Sequence, residues 1–124
     1  MKRVKVGIIG CGAISDVYFW MMGQVYKDIL DLCACGDLML ERAQAKAEKN
    51  PGVKAMTVKQ LLKDPEIEIV VNLTIPRAHA KVAFDALKAG KSVYNEKPLA
   101  ITRKEGLKML ALAAEKGLRV GGAP

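Results

Sequence analysis

Apolar and polar positions along this sequence recur with two different periods, and the switches between them mark out the elements. Val4–Ile9 is a short, β-branched, apolar run that ends in glycine, as a buried strand does. Val17, Trp20, Met21, Gln24 and Val25 then recur at i, i+3, i+4, i+7 and i+8, which predicts an amphipathic helix. Residues 29–35 read as a second strand. Leu40, Ala43 and Ala47 mark a further helical stripe, stopped by Asn50-Pro51-Gly52. A short strand at 53–56 and a helix of one to two turns at 58–62 come next. Residues 67–73 are nearly continuous in Ile, Val and Leu, the pattern of a strand covered on both faces. The turn Thr74-Ile75-Pro76 ends it. Val82, Ala83, Ala86 and Leu87 predict a helix closed by a glycine just past its end, Gly90. Residues 92–94 form a short strand. Thr102-Arg103-Lys104-Glu105 has the form of a capping box and opens a helix with Leu107, Leu110, Ala111 and Ala114 on one face. Gly117 stops that helix, and residues 118–121 begin one more strand.

Strands alternating with helices at this spacing imply parallel βαβ units, hence an α/β fold with a doubly wound parallel sheet in three layers. The 124 residues suffice for one domain, 1–124, with one core. Because Gly121-Gly122-Ala123-Pro124 follows directly on a strand, the chain is expected to be one domain of a longer, two-domain enzyme. The formal charge is +7, from 20 Lys and Arg against 13 Asp and Glu. That excess is spread over every segment with few aromatics, so it reads as solvated helix faces rather than a nucleic-acid surface. No apolar run approaches the roughly 20 residues that span a bilayer. Lys5 and the glycines interrupt the first apolar stretch, so it reads as a strand and not a secretory leader. Cys33 and Cys35, two apart in a strand, are expected to face the same way. With Cys11 as the only other cysteine there is no second pair for zinc, so no metal site is expected. Reduced, buried thiols fit a reducing, cytoplasmic setting.

The chemistry concentrates at strand ends. The first strand leads straight into Gly10-Cys11-Gly12-Ala13-Ile14-Ser15 and a helix. Gly10 permits the tight turn, Gly12 has no Cβ to keep a diphosphate away, and Ser15 is small enough for close helix–strand packing. Free N–H groups and the positive end of the helix dipole suit that anion. No Lys follows the glycines, which excludes a P-loop. Asp37 follows Ser15 by 22 residues, at the end of the second strand. There it can accept both hydroxyls of an adenosine ribose, or cap the next helix, or both. Leu38 offers a 2′-phosphate nothing, although Arg42 is about a turn away; NAD is favoured, with NADP the alternative. Two further strand ends are Asn72-Leu73-Thr74-Ile75-Pro76, with His79 beyond, and Tyr94-Asn95-Glu96-Lys97-Pro98. Pro98 restricts Lys97 to extended backbone and so gives its ammonium a defined direction. His79 continues the Val82, Ala83, Ala86, Leu87 stripe, which leaves a packed core-edge histidine as the other reading.

Taken in order, the Gly10 to Ser15 turn, Thr74-Ile75-Pro76 with His79, Ala86-Leu87-Lys88-Ala89-Gly90-Lys91 and Glu96-Lys97-Pro98 resemble the N-terminal half of the Gfo/Idh/MocA oxidoreductases. The resemblance covers essentially the whole chain, and Glu-Lys-Pro is its most specific part. It implies a Rossmann domain for NAD or NADP, followed in the complete enzyme by a substrate domain, and hydride transfer to or from a sugar, cyclitol or related compound. It also implies that Lys97 lies beside the nicotinamide as the catalytic lysine. Glu96 would position the nicotinamide ribose or order the loop, and Thr74, Ile75 and Pro76 would run along the nicotinamide half. The block of cofactor contacts so expected is Gly10, Gly12, Ala13, Ile14, Ser15, Asp37, Thr74, Ile75, Pro76, His79, Glu96 and Lys97. The family's histidine–aspartate pair belongs to the second domain, so this chain alone is expected to bind cofactor without turnover. A non-catalytic dinucleotide sensor or scaffold is the alternative. An uncovered apolar face suggests self-association.

Overall fold

The computed structural model describes residues 2–124, and strands alternate with helices through all of them. In chain order they are β1 (Val4–Ile9), α1 (Ser15–Trp20), β2 (Leu30–Gly36), α2 (Leu40–Lys49), β3 (Lys54–Met56) and α3 (Val58–Lys63). The second half comprises β4 (Ile69–Asn72), α4 (Pro76–Lys88), β5 (Ser92–Asn95), α5 (Arg103–Lys116) and β6 (Val120–Gly122). A π-helical turn, Met21–Val25, extends α1. All strands pair in parallel, in the order β3-β2-β1-β4-β5-β6. The chain therefore leaves β1 toward one edge and, after β3, crosses back to place β4 on the other side of β1. At such a reversal the loops of neighbouring strands diverge and open a crevice at their C-terminal ends.

Both faces of the sheet are covered, as the apolar runs predicted. Val6, Ile8, Cys35 and Val71 pack with Phe19, Met22 and Ala43 under α1 and α2. Ile9, Ala34 and Val70 pack with Leu61, Ala83, Leu87, Met109 and Ala113 under α3, α4 and α5. Gly7 belongs to the second face, where a Cβ would come within 3.1 Å of the Leu61 side chain. The result is the three-layer, doubly wound architecture of a Rossmann domain.

Three local expectations are corrected. Cys33 and Cys35 do not face the same way: Cys33 packs on the α3–α5 face and Cys35 on the α1–α2 face. The cause is a β-bulge. The β1–β2 register runs Val6↔Leu32 and then Gly7↔Ala34, so Cys33 is the extra residue and inverts the alternation. The second correction concerns helix faces. Val17, Trp20 and Val25 are exposed, Trp20 by 59 %, while Ser15, Phe19 and Met22 face the sheet. Ser15 starts that inner stripe, and its hydroxyl hid it from a search for apolar periodicity. On α5, Leu107 (54 % exposed), Leu110, Ala111 and Ala114 lie outward, and Met109 and Ala113 are buried. Apolar residues nearly encircle this helix, so periodicity alone could not choose the buried side. Third, the Thr102 box is only half formed: its hydroxyl accepts from the Glu105 amide at 3.1 Å. The reciprocal box stands instead at Thr57 and Gln60.

Lys91 is buried at the far end of the sheet from the glycine turn, where its ammonium donates to the carbonyls of Asp64 and Ile67. It ties the segment entering β4 to the α4–β5 connection. Replacing it by methionine keeps the stem but leaves the Ile67 carbonyl unpaired, a penalty of order 1 kcal/mol or more, and leaves the Asp64 carbonyl only its bond from the Ile67 amide at 3.3 Å. Lys91→Met is expected to lower stability by about 1–2 kcal/mol, read as a reduced urea midpoint with an unchanged slope.

Candidate functional site

Four parallel strands end side by side at one sheet edge, and every predicted site residue sits at or just after those ends. In spatial order the strands are β2, β1, β4 and β5. Asp37 follows β2, the glycine turn follows β1, Thr74 to Pro76 follow β4, and Glu96 and Lys97 follow β5. Three inter-strand steps separate the first from the last, roughly 14 Å at ordinary strand spacing. That is the scale of an extended dinucleotide.

The turn after β1 owes its shape to Gly10. Its φ is +104°, and a Cβ there would lie 2.6 Å from the Leu73 carbonyl carbon and 2.8 Å from the Thr74 nitrogen. Only glycine meets both demands, a left-handed backbone and direct contact with the end of β4. Gly12 is different, since a Cβ on it would meet nothing within 4 Å. Its lack of a side chain serves no internal packing, and it keeps the surface of the turn open. Ser15 is fully buried and donates to the Gly12 carbonyl at 2.6 Å, fixing the turn against the first turn of α1.

Amide accounting shows what the turn can hold. The Gly10 N–H goes to Gly36 and the Cys11 N–H to the Asp37 carboxylate, while those of Ser15 and Asp16 go to Gly12 and Ala13. Among the described residues, the N–H groups of Gly12, Ala13 and Ile14 have no protein acceptor. Three donors at a helix start, in front of an open surface, fit a diphosphate. The Cys11 thiol beside them donates to the Gly36 carbonyl at 3.5 Å; the neighbouring Cys35 thiol and burial push it well above the ordinary thiol range, so it adds no negative charge.

Asp37 does not cap α2, whose first flanking residue is Met39. Its two oxygens accept from the Cys11 amide at 2.8 Å and the Met39 amide at 2.9 Å. A carboxylate has about four acceptor sites, so about two remain open. Leu38 beside it is 95 % exposed.

The loops after β4 and β5 rest on a buried amide pair that the sequence reading passed over. Asn72 donates to Asn95 Oδ1 at 2.9 Å and to the His79 carbonyl at 3.0 Å, and accepts from the Thr74 hydroxyl at 2.6 Å. Asn95 in turn donates to the Leu99 carbonyl at 3.2 Å. Two fully buried amides at the ends of apolar strands were the available signal, because such groups are kept only when paired. Tyr18 was also missed. Its hydroxyl, raised by burial and by its bond to Glu96, donates to that carboxylate, whose other oxygen accepts the Lys97 amide at 3.1 Å. Glu96 is thus committed to ordering the loop. Lys97 is exposed at its tip, and its peptide bond to Pro98 is cis.

His79 corrects the expectation of direct cofactor contact. It is 1 % exposed, and its ring nitrogens lie 2.6 Å from the Pro98 carbonyl and 2.7 Å from the Thr74 carbonyl. Neither nitrogen is left for a ligand.

A profile of the oxidoreductase family with an NAD-binding Rossmann fold, Gfo/Idh/MocA, matches residues 4–122. The chain belongs to this family. It is 33 % identical over 119 residues to an inositol 2-dehydrogenase/D-chiro-inositol 3-dehydrogenase of Lactiplantibacillus plantarum, covering 94 % of this chain and 33 % of that protein. It is 31 % identical to a 1,5-anhydro-D-fructose reductase of Ensifer adhaerens, covering 93 % and 34 %. A 3-ketoreductase from Actinomadura kijaniata, solved in complex with NADP, superposes with a TM-score of 0.91 at 26 % identity, covering 98 % and 38 %. The chain thus spans about a third of the length of the relatives it matches. For this Gfo/Idh/MocA domain, Gly10→Ala is expected to cost on the order of 3 kcal/mol. A fall in thermal midpoint without any cofactor present is the check.

Proposed function

We propose that this chain is the cofactor-holding domain of an NAD(P)-dependent oxidoreductase that moves a hydride between nicotinamide and a carbinol or carbonyl carbon of a sugar or cyclitol. The observation that carries the reading is the shared sheet edge: three unpaired amides on an open glycine turn, and a lysine on a braced loop two strand spacings away. Gly10, Gly12, Ala13, Ile14 and Ser15 form the diphosphate cradle. Asp37 takes the adenosine ribose and disfavours a 2′-phosphate, so NAD binds more tightly than NADP. Thr74, Ile75 and Pro76 border the nicotinamide half, and Glu96 holds the loop that carries Lys97.

The bound nicotinamide supplies the hydride chemistry. Lys97 supplies a cation at the substrate oxygen, where it orients a hydroxyl or polarises a carbonyl. A lysine is a poor proton acceptor at neutral pH, so the base comes from a second, substrate-binding domain. The roughly threefold greater length of the relatives supports such a domain. The outward apolar residues of α1 and of α5, on opposite faces of the sheet, support two surfaces that this domain or a second copy covers. The unpaired Cys11, Cys33 and Cys35 favour a reducing, cytoplasmic setting.

Fluorescence titration of the purified chain with NADH and NADPH tests the core of this reading. Saturable binding with NADH preferred is expected, and failure to bind either at millimolar concentration defeats it. Gly12→Val is expected to keep the thermal midpoint, since its Cβ meets nothing, and to weaken NADH by tenfold or more, about 1.4 kcal/mol. The chain by itself, given NAD and myo-inositol, is expected to produce no NADH by absorbance. Steady turnover by the isolated chain would show that the base lies within it.

A further inference from the structure

We propose that His79 is a positioning residue that clamps the two loops of the nicotinamide side together by donating N–H hydrogen bonds from both ring nitrogens. The clamp is legible in the geometry alone; its effect on a cofactor rests on the function proposed above.

Both partners of the ring are backbone carbonyl oxygens, at Thr74 and Pro98, and a carbonyl only accepts. A neutral imidazole carries one N–H. Either tautomer would therefore turn a nitrogen lone pair toward an oxygen lone pair at 2.6 or 2.7 Å. The doubly protonated ring satisfies both contacts, and charge-assisted bonds are the ones expected to be this short. The ring is 1 % exposed, so no water competes for either nitrogen.

The location gives the clamp its consequence. Thr74 is the first residue of the loop after β4, and Pro98 directly follows Lys97. These segments belong to neighbouring strands, joined below by the Asn72–Asn95 bond. The His79 backbone takes part in that lower tie, since its carbonyl accepts from Asn72. One residue of α4 thus secures both loops at two levels. An apolar side chain of similar size would fill the same space and leave the Thr74 and Pro98 carbonyls unpaired, with nothing to fix the separation of the loops.

Because His79 is the sole histidine of the chain, nitrogen-15 NMR of histidine-labelled protein reads its ring without assignment. Two protonated ring nitrogens are expected, each with a proton slow to exchange. One nitrogen with the shift of an unprotonated imidazole overturns the double-donor clamp. The positioning role is read by comparing NADH with ADP-ribose, which lacks the nicotinamide, in His79→Gln and His79→Leu. Loss of the clamp is expected to weaken NADH about tenfold while ADP-ribose changes less than twofold. The glutamine variant, with one donor site restored, should fall between the unaltered chain and the leucine variant. Equal losses for both ligands would make His79 merely structural and overturn the role. If neither variant folds, the NMR spectrum of the unaltered chain still decides the clamp. If the unaltered chain binds ADP-ribose and NADH with no gain from the nicotinamide, the positioning role fails although the cradle stands. Binding of neither ligand removes the functional reading itself.

Discussion

The close approach of Gly10 to the end of β4 is the contact on which the rest of this edge depends. Backbone meets backbone there with no side chain between, at a φ that L-residues rarely adopt. It brings the glycine turn and the loop after β4 as near as neighbouring strands allow, so a single extended ligand of the kind proposed could touch both. Gly12, two residues on, is free of such demands. The two glycines thus differ in kind: one is required by the protein's own geometry, and the other leaves the surface of the turn open.

Above that contact the edge is held by polar groups rather than by hydrophobic packing. Asn72, Asn95 and His79 are buried and fully partnered, and among the described residues no buried side-chain nitrogen or oxygen lacks a partner. A satisfied network of this kind is rigid, because any displacement leaves a donor or acceptor alone in a low dielectric. The loop bearing Lys97 is gripped on one side by Tyr18 from α1 and on the other by His79 from α4. These helices lie on opposite faces of the sheet. A flexible lysine stem gains a fixed base in this way.

Much of this was legible in the sequence, and the failures have identifiable causes. Strand and helix order followed from apolar runs and glycine stops, and β1 was placed to the residue. The family resemblance was written in Glu96-Lys97-Pro98 and the glycine turn, where chemistry narrows the choice of residue. The inward face of α1 was missed because Ser15, which begins it, is polar. The orientation of Cys33 was missed because a bulge leaves no mark in local periodicity. His79 was assigned to the ligand because sequence proximity to Thr74 cannot tell a side chain that faces a crevice from one that braces its wall. Tyr18 and Glu96 are 78 positions apart, and no local pattern connects them.

The bulge at Cys33 has an effect beyond one cysteine. It divides β2 into an outer segment, Leu30 to Leu32, and an inner one that delivers Asp37 to the Cys11 amide. The extra residue is taken up at that joint, both segments stay paired with β1, and the carboxylate arrives beside the glycine turn. Before the joint even-numbered side chains lie under α1 and α2, after it odd-numbered ones do, so one strand carries two opposite alternations.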